Sequence, residues 1–360
     1  MQSGILVGTS KGLIVYSSKS RRWDIQSVQF EGLPVSLVYV DDRSNTWWIG
    51  LSHRHWGEKL YFSPDQGKNW NQVSTPAFNG KFYRPGHPAG LRKIWVMQHA
   101  GKDHAGGLWV GTEPGALFYS ADSGITFHIN EGLWNHPGRQ DPNQWFGAGK
   151  DYPFVHSIVL DPNDSNHLYV AVSCAGVFET TDHGKTWKAR NNGLVAAYLP
   201  NPKPEVGHDP HRMMLCTADP KVIWQQNHCG IFRSDNGGEL WKDVSGPNGF
   251  PKYGFALAVD ETDPFQAWVI PAQSDERRIP VDLKLCVCHT VNGGKSWERI
   301  DRGVPTTQTF DLVLRHAFVK QQEILAFGTN NGNLYVSEDS GESWQTLSTN
   351  LSAINYLAFA

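Results

Sequence analysis

One short pattern, Ser/Thr-x-Asp/Asn-x-Gly-x-x-Trp/Phe, recurs along the chain and confines it to a repeat fold. Good copies run Ser63–Trp70, Ser120–Phe127, Thr180–Trp187, Ser234–Trp241, Thr290–Trp297 and Ser337–Trp344, starting 47 to 60 residues apart. Tyr16–Trp23 is a seventh, eroded copy that lacks both the Asp and the Gly. Each copy follows an alternating apolar and polar segment such as Leu108-Trp-Val-Gly-Thr-Glu-Pro-Gly-Ala-Leu-Phe-Tyr-Ser120, which predicts strands joined by hairpins. Within the motif the hydroxyl and the Asp or Asn can bond backbone groups of a tight turn. The Gly can take positive φ, and the Trp can pack in a core. The motif is therefore expected to build the fold rather than perform chemistry.

These residues resemble the Asp-box propellers, also called bacterial neuraminidase repeats, over nearly the whole chain. The resemblance implies four-stranded blades around an axis, with the motif on the turn between the third and fourth strands. It implies no single function. The family includes sialidases, xyloglucan hydrolases, sortilin-type receptors, a photosystem II assembly factor and many bacterial proteins known only as sialidase-like. Seven motifs predict an all-β, seven-bladed propeller spanning residues 1–360 as one domain. Ile5–Ser17 begins at the second strand of a repeat, and Ala353–Ala360 reads as a first strand, so the C-terminal strand is expected to complete blade one and close the ring.

Composition narrows the partners. With 32 Lys+Arg against 35 Asp+Glu and no basic run, nucleic acid is not expected. The N-terminus lacks the pattern of a secretory leader and no apolar run is long enough for a membrane span, which predicts a cytoplasmic protein. Five cysteines fit a reducing compartment.

The site is expected on the propeller face opposite the motif turns, where the long insertions 71–92, 128–155, 188–211, 242–254 and 273–284 gather. Aligning the inner strands on His156-Ser-Ile-Val-Leu, His211-Arg-Met-Met-Leu, Tyr253-Gly-Phe-Ala-Leu, Phe310-Asp-Leu-Val-Leu and Arg92-Lys-Ile-Trp-Val makes Arg92, His156, His211 and Tyr253 converge at the axial mouth. A slip of one residue would reverse each side chain. Glu113, His156, His211 and Asp209 are the catalytic candidates. Arg92, Trp134, Trp145, Gln226, His228, Tyr253 and Arg315 are the ligand-binding candidates. His156, His211 and His228 with Cys229 form a candidate zinc or copper set, although no local ligand spacing supports it.

Of the fifteen tryptophans, six are motif residues. Six more, including Trp95, are expected to pack blades, which leaves Trp56, Trp134 and Trp145 on loops to meet a ligand. Sialidase chemistry is disfavoured, because Arg278-Ile279-Pro280 falls in blade six and the first blade has no axial arginine. These residues predict, first, binding of a small molecule or protein at a polar axial site. The alternative is a hydrolase, either a glycosidase needing two facing carboxylates or a His- or metal-dependent enzyme.

Overall fold

The computed structural model describes residues 4–147 and 151–360; positions 148–150 of the 128–155 insertion and the first three residues lie outside the described set. Seven four-stranded antiparallel sheets follow one another along the chain. Their innermost strands touch in a closed cycle, each against the next and the last against the first. The protein is thus a seven-bladed β-propeller. Blade two shows the order from axis to rim: Val35–Asp41, Thr46–His53, Gly57–Ser63 and Asn71–Val73. Ile354–Phe359 pairs with Gly4–Thr9, so the C-terminal strand completes blade one as the sequence predicts.

Middle strands such as Leu168–Val172 and Gly176–Thr180 are buried at every position, because neighbouring blades cover both faces of the sheet. Trp109, Trp224 and Trp268 are fully buried there and fill the wedge between blades.

The motif turns join third to fourth strands, and the same bonds recur in each. In blade four, Thr180 Oγ1 donates to Asp182 Oδ1 at 2.7 Å and accepts the Gly184 N–H at 2.9 Å. Asp182 Oδ1 also accepts the Thr186 N–H at 2.9 Å. Two successive residues have positive φ, His183 at 58° and Gly184 at 80°, which explains why blades five and six place Gly at both positions, Gly237-Gly238 and Gly293-Gly294. A side chain at the motif Gly would also collide with a neighbouring tryptophan: a Cβ on Gly124 would come 2.3 Å from Trp48.

In four of the six good copies the motif tryptophan reaches from its own blade to the one before. Trp70 Nε1 donates to Gln29 Oε1 (2.7 Å), Trp187 Nε1 to Asn130 Oδ1 (2.9 Å), Trp241 Nε1 to the Arg190 carbonyl (2.7 Å) and Trp297 Nε1 to the Val244 carbonyl (2.8 Å). In the eroded copy, Trp23 Nε1 meets Glu338 Oε1 of blade seven at 3.0 Å, across the closure. The repeat therefore stitches successive blades together, with each bond contributing about 1 kcal/mol.

Two local expectations fail. The inner strand of blade seven is Phe318–Gln321, not the run from Phe310. Phe310 is exposed, because a short apolar run such as Leu312-Val-Leu314 does not by itself distinguish strand from loop. Trp134 and Trp145 are buried, Trp145 completely. They pack into two different cores, Trp134 against Phe78 at 5.4 Å and Trp145 against Phe178 at 4.9 Å between ring centres, and the Arg139 guanidinium lies 3.7 Å from the centre of the Trp134 ring.

Candidate functional site

The inner strands share a feature that the alignment by residue type misses. The pairing of inner with second strand skips one residue in six of the seven blades, at Ser36, Trp95, His156, His211, Phe255 and Asn355. An unpaired extra residue bends the strand and re-aims its side chain. In blades three, five and six these residues, Trp95, His211 and Phe255, line one axial cavity of about 220 Å³. The true frame is therefore Trp95, His156, His211, Phe255. Arg92 had been placed three residues early and Tyr253 two. Arg92 is exposed and lies outside the cavity lining, while its backbone N–H bonds the Glu113 carbonyl at 2.8 Å.

The cavity is completed by Phe154, Ser173, Asp209, His228, Asp275, Arg278 and Arg315. Asp209 ends the long insertion that leads into the blade-five inner strand Pro210–Cys216. His228 sits on the turn between Asp219–Asn227 and Gly230–Ser234, held by its backbone N–H to the Asp209 carbonyl at 2.9 Å. Asp209 Oδ1 accepts the Ser173 hydroxyl at 2.8 Å and the Cys174 N–H at 3.2 Å. Its other oxygen, Oδ2, faces His211 Nε2 at 3.3 Å and His228 Nδ1 at 3.5 Å. Burial works against the Asp209 carboxylate, but His211, His228 and Arg315 outweigh it and hold its pKa well below the usual range. Burial lowers the His211 pKa, and Asp209 only partly opposes this. His211 is further fixed by Nδ1, 2.7 Å from the Gly254 carbonyl, and by stacking on Phe255 at 4.5 Å.

Two arginines also line the cavity. The Arg315 guanidinium packs against Phe154 and Phe255, both at 5.1 Å, and its Nε is buried without a hydrogen-bond partner among the described residues. Arg315 precedes the blade-seven inner strand, and this brings it to the mouth of the cavity. Arg278, from the 273–284 insertion, is braced by Asp275 at 2.6 Å. Tyr253 donates to the same Asp275 at 3.4 Å and supports the loop beside the cavity.

Other candidates have structural duties. His156 is fully buried, with Nδ1 on Ser157 Oγ at 3.0 Å, and lies outside the cavity lining. The Gln226 amide is buried and bonds the carbonyls of Asn227, Gly230 and Lys252. Cys229 Sγ faces the Ala197 N–H at 3.4 Å. Glu113 is buried and accepts the Trp95 indole N–H at 3.1 Å, so it positions a wall of the cavity without lining it. The His-Cys metal set is thus corrected. Among the described residues, the three groups whose ligand atoms lie within 4.8 Å of one another are Asp209, His211 and His228. Trp95, expected to pack a blade, is the tryptophan that lines the site.

A deeper axial cavity of about 430 Å³ is walled by the middles of the inner strands, including Val38, Val96, Ile158, Met213 and Leu357. Its Lys320 is engaged by Asp260 at 2.9 Å and Glu261 at 2.5 Å, and Arg212 also lines it.

No family model matches the chain. It is 24% identical over 254 residues to an oligoxyloglucan-reducing end-specific xyloglucanase of Emericella nidulans, covering 63% of this chain and 28% of that protein. It is 28% identical over 194 residues to xyloglucanase Xgh74A of Acetivibrio thermocellus, covering 50% of this chain and 20% of that one. The chain thus matches only about a quarter of the length of these curated relatives. Among solved structures, an ancestral GH74 enzyme superposes with a TM-score of 0.58 at 13% identity, over 99% of this chain and 40% of the other. At that identity the likeness speaks for the propeller fold.

Proposed function

We propose that this Asp-box propeller is a hydrolase that acts on a small, negatively charged carbohydrate-type substrate in the axial cavity. The observation that carries this reading is that one cavity is walled by a carboxylate beside two imidazoles and by two arginines. Asp209 Oδ2 stands between His211 and His228, and Arg278 and Arg315 face the same space. The first group suits activation of water, since a buried carboxylate with two imidazoles can orient or deprotonate it. The second suits an anionic group on the substrate, which an arginine can hold in a fixed geometry. Trp95, Phe154 and Phe255 supply flat apolar surface for a ring. The low-identity xyloglucanase relatives support glycoside hydrolysis over simple binding as the class of activity. The cavity, at about 220 Å³, fits a single ring better than a polymer segment.

A screen of neutral and acidic glycosides, sugar lactones and sugar esters tests the proposal, with Asp209→Asn and Arg278→Gln as controls. The expected result is turnover of an acidic substrate that falls by at least about 100-fold in Asp209→Asn. In Arg278→Gln, KM should rise more than kcat falls. Full turnover in Asp209→Asn, or no turnover of any member of these classes, would overturn it.

A further inference from the structure

We propose that Asp209 Oδ2, His211 Nε2 and His228 Nδ1 bind one divalent cation of the zinc type, with its remaining coordination positions open to the axial cavity. The inference deepens the hydrolase reading by naming how water is activated there, and it can stand without it.

The argument begins with one carbonyl. His211 Nδ1 lies 2.7 Å from the Gly254 oxygen, and a carbonyl can only accept, so Nδ1 carries the proton. In the neutral ring, Nε2 is then a bare lone pair. It points at Asp209 Oδ2, 3.3 Å away, which is also an acceptor. The Asp209 carboxylate can only accept, and its Oδ1 already accepts the Ser173 hydroxyl and the Cys174 N–H. His228 Nδ1 approaches the same Oδ2 at 3.5 Å. His211 Nε2 and Asp209 Oδ2 are thus two acceptor atoms facing each other in a buried pocket, with a His228 ring nitrogen beside them, and they repel one another unless a cation lies between them.

The spacing fits a metal. With tetrahedral bonds of about 2.0–2.1 Å, neighbouring ligand atoms stand about 3.3–3.4 Å apart, close to the 3.3 and 3.5 Å seen from Oδ2. The surroundings fit as well. A ligating imidazole ordinarily donates its other N–H to a carbonyl or carboxylate, as His211 does to Gly254, and a ligating carboxylate is itself hydrogen-bonded, as Asp209 is by Ser173. Two imidazoles and one carboxylate favour zinc over calcium or magnesium, which take oxygen ligands. Three protein ligands leave room for a water molecule, whose acidity the ion would raise. Arg278 and Arg315 line the same cavity and would hold the anionic part of a substrate.

The test uses untagged full-length protein, stripped with a chelator. Zinc content is measured by elemental analysis, zinc affinity by calorimetry, and coordination by the visible spectrum after loading with cobalt(II). The wild type should take up one zinc per chain and give an intense low-symmetry cobalt spectrum. Both should be lost in Asp209→Asn and in His228→Ala, which removes a partly exposed side chain and so spares the fold. Ser173→Ala should weaken zinc by about 10- to 100-fold. Cys229→Ser and His55→Ala should bind as the wild type does. Absence of stoichiometric zinc in the wild type, or uptake unchanged in both Asp209→Asn and His228→Ala, would overturn the site. Stoichiometric zinc without turnover of any substrate class would keep the metal site and remove the hydrolase. Turnover undiminished in zinc-free protein would do the reverse.

Discussion

Asp182 and Asp209 are the same residue on opposite faces of one propeller, and their surroundings differ in kind. Asp182, in the blade-four motif turn, has both oxygens satisfied: Oδ1 by Thr180 Oγ1 and the Thr186 N–H, Oδ2 by Thr186 Oγ1 at 2.6 Å. Those bonds, led by the Thr186 side chain, lower its pKa to about 2. Asp209 is buried, and its Oδ2 faces two imidazole nitrogens and no settled donor. A carboxylate whose acceptors are all matched by donors in its own turn is a structural part. One held by its neighbours to face unmatched groups across a cavity is placed for chemistry. The motif repeats because every blade needs its turn, whereas the Asp209 cluster occurs once because one axis needs one site.

The largest effect expected from this contrast is kinetic. Asp209→Asn should lose about 10²- to 10⁴-fold in kcat/KM while its melting temperature stays near that of the wild type, measured by steady-state kinetics and calorimetry on one preparation. Loss of the fold instead would move Asp209 into the structural class.

Next comes a thermodynamic effect on the opposite face. Thr180→Ala removes a buried hydroxyl that both donates to Asp182 and accepts from Gly184. It should cost about 1–3 kcal/mol in denaturant unfolding, with turnover per folded molecule unchanged. A drop in turnover without a drop in stability would break the division between the faces.

A smaller effect follows pH. His167 lies between Glu179 Oε1 at 3.0 Å and Asp161 Oδ2 at 3.1 Å, and these bonds, Glu179 first, raise its pKa above the usual value despite burial. The stability from this raised pKa is fully present below the unfolded-state pKa of about 6.5 and is lost as pH rises through the higher folded value. The difference in melting temperature between wild type and His167→Gln should therefore shrink across that window. A difference independent of pH would show that the imidazole acts by packing alone. The smallest effect belongs to Trp56, which is 73% exposed and lies outside the axial cavity. Trp56→Ala should change stability by no more than about 0.5 kcal/mol and leave kcat/KM unaltered; a rise in KM would extend the site to blade two.

The blades and their closure were legible because a repeat is read many times over. Six good motifs outvote one eroded copy, and the turn chemistry of Thr180, Asp182 and Gly184 follows directly from residue type. His211, His228, Asp209 and Arg315 were legible as polar residues on the correct face. Trp95 and Phe255 were not, because an alignment on residue type sets Arg92 and Tyr253, three and two residues earlier, against the unpaired His156 and His211. A shared offset from the first apolar residue of each strand, as in Ile94-Trp95-Val96 and Val155-His156-Ser157, would have revealed it. Trp134 and Trp145 misled for another reason: a long insertion can be rich in aromatics because it must anchor itself on the rest of the fold, as Trp134 does on Phe78 and Trp145 on Phe178. Asp209 was named as a catalytic candidate, yet its partnership with both histidines depends on a carbonyl, a serine and a turn that no sequence spacing encodes.

The most direct measurement applies one substitution, Asp→Asn, at both positions. Blades five and six already carry Asn236 and Asn292 where blade four has Asp182, and Asn292 Oδ1 accepts the Ser296 N–H at 3.0 Å just as Asp182 accepts Thr186. With kcat/KM and melting temperature determined together, Asp182→Asn should leave both near wild type, and Asp209→Asn should abolish turnover while the protein still melts cooperatively near the wild-type temperature. Turnover retained in Asp209→Asn, or lost in a folded Asp182→Asn, would contradict the assignment of chemistry to the axial cavity.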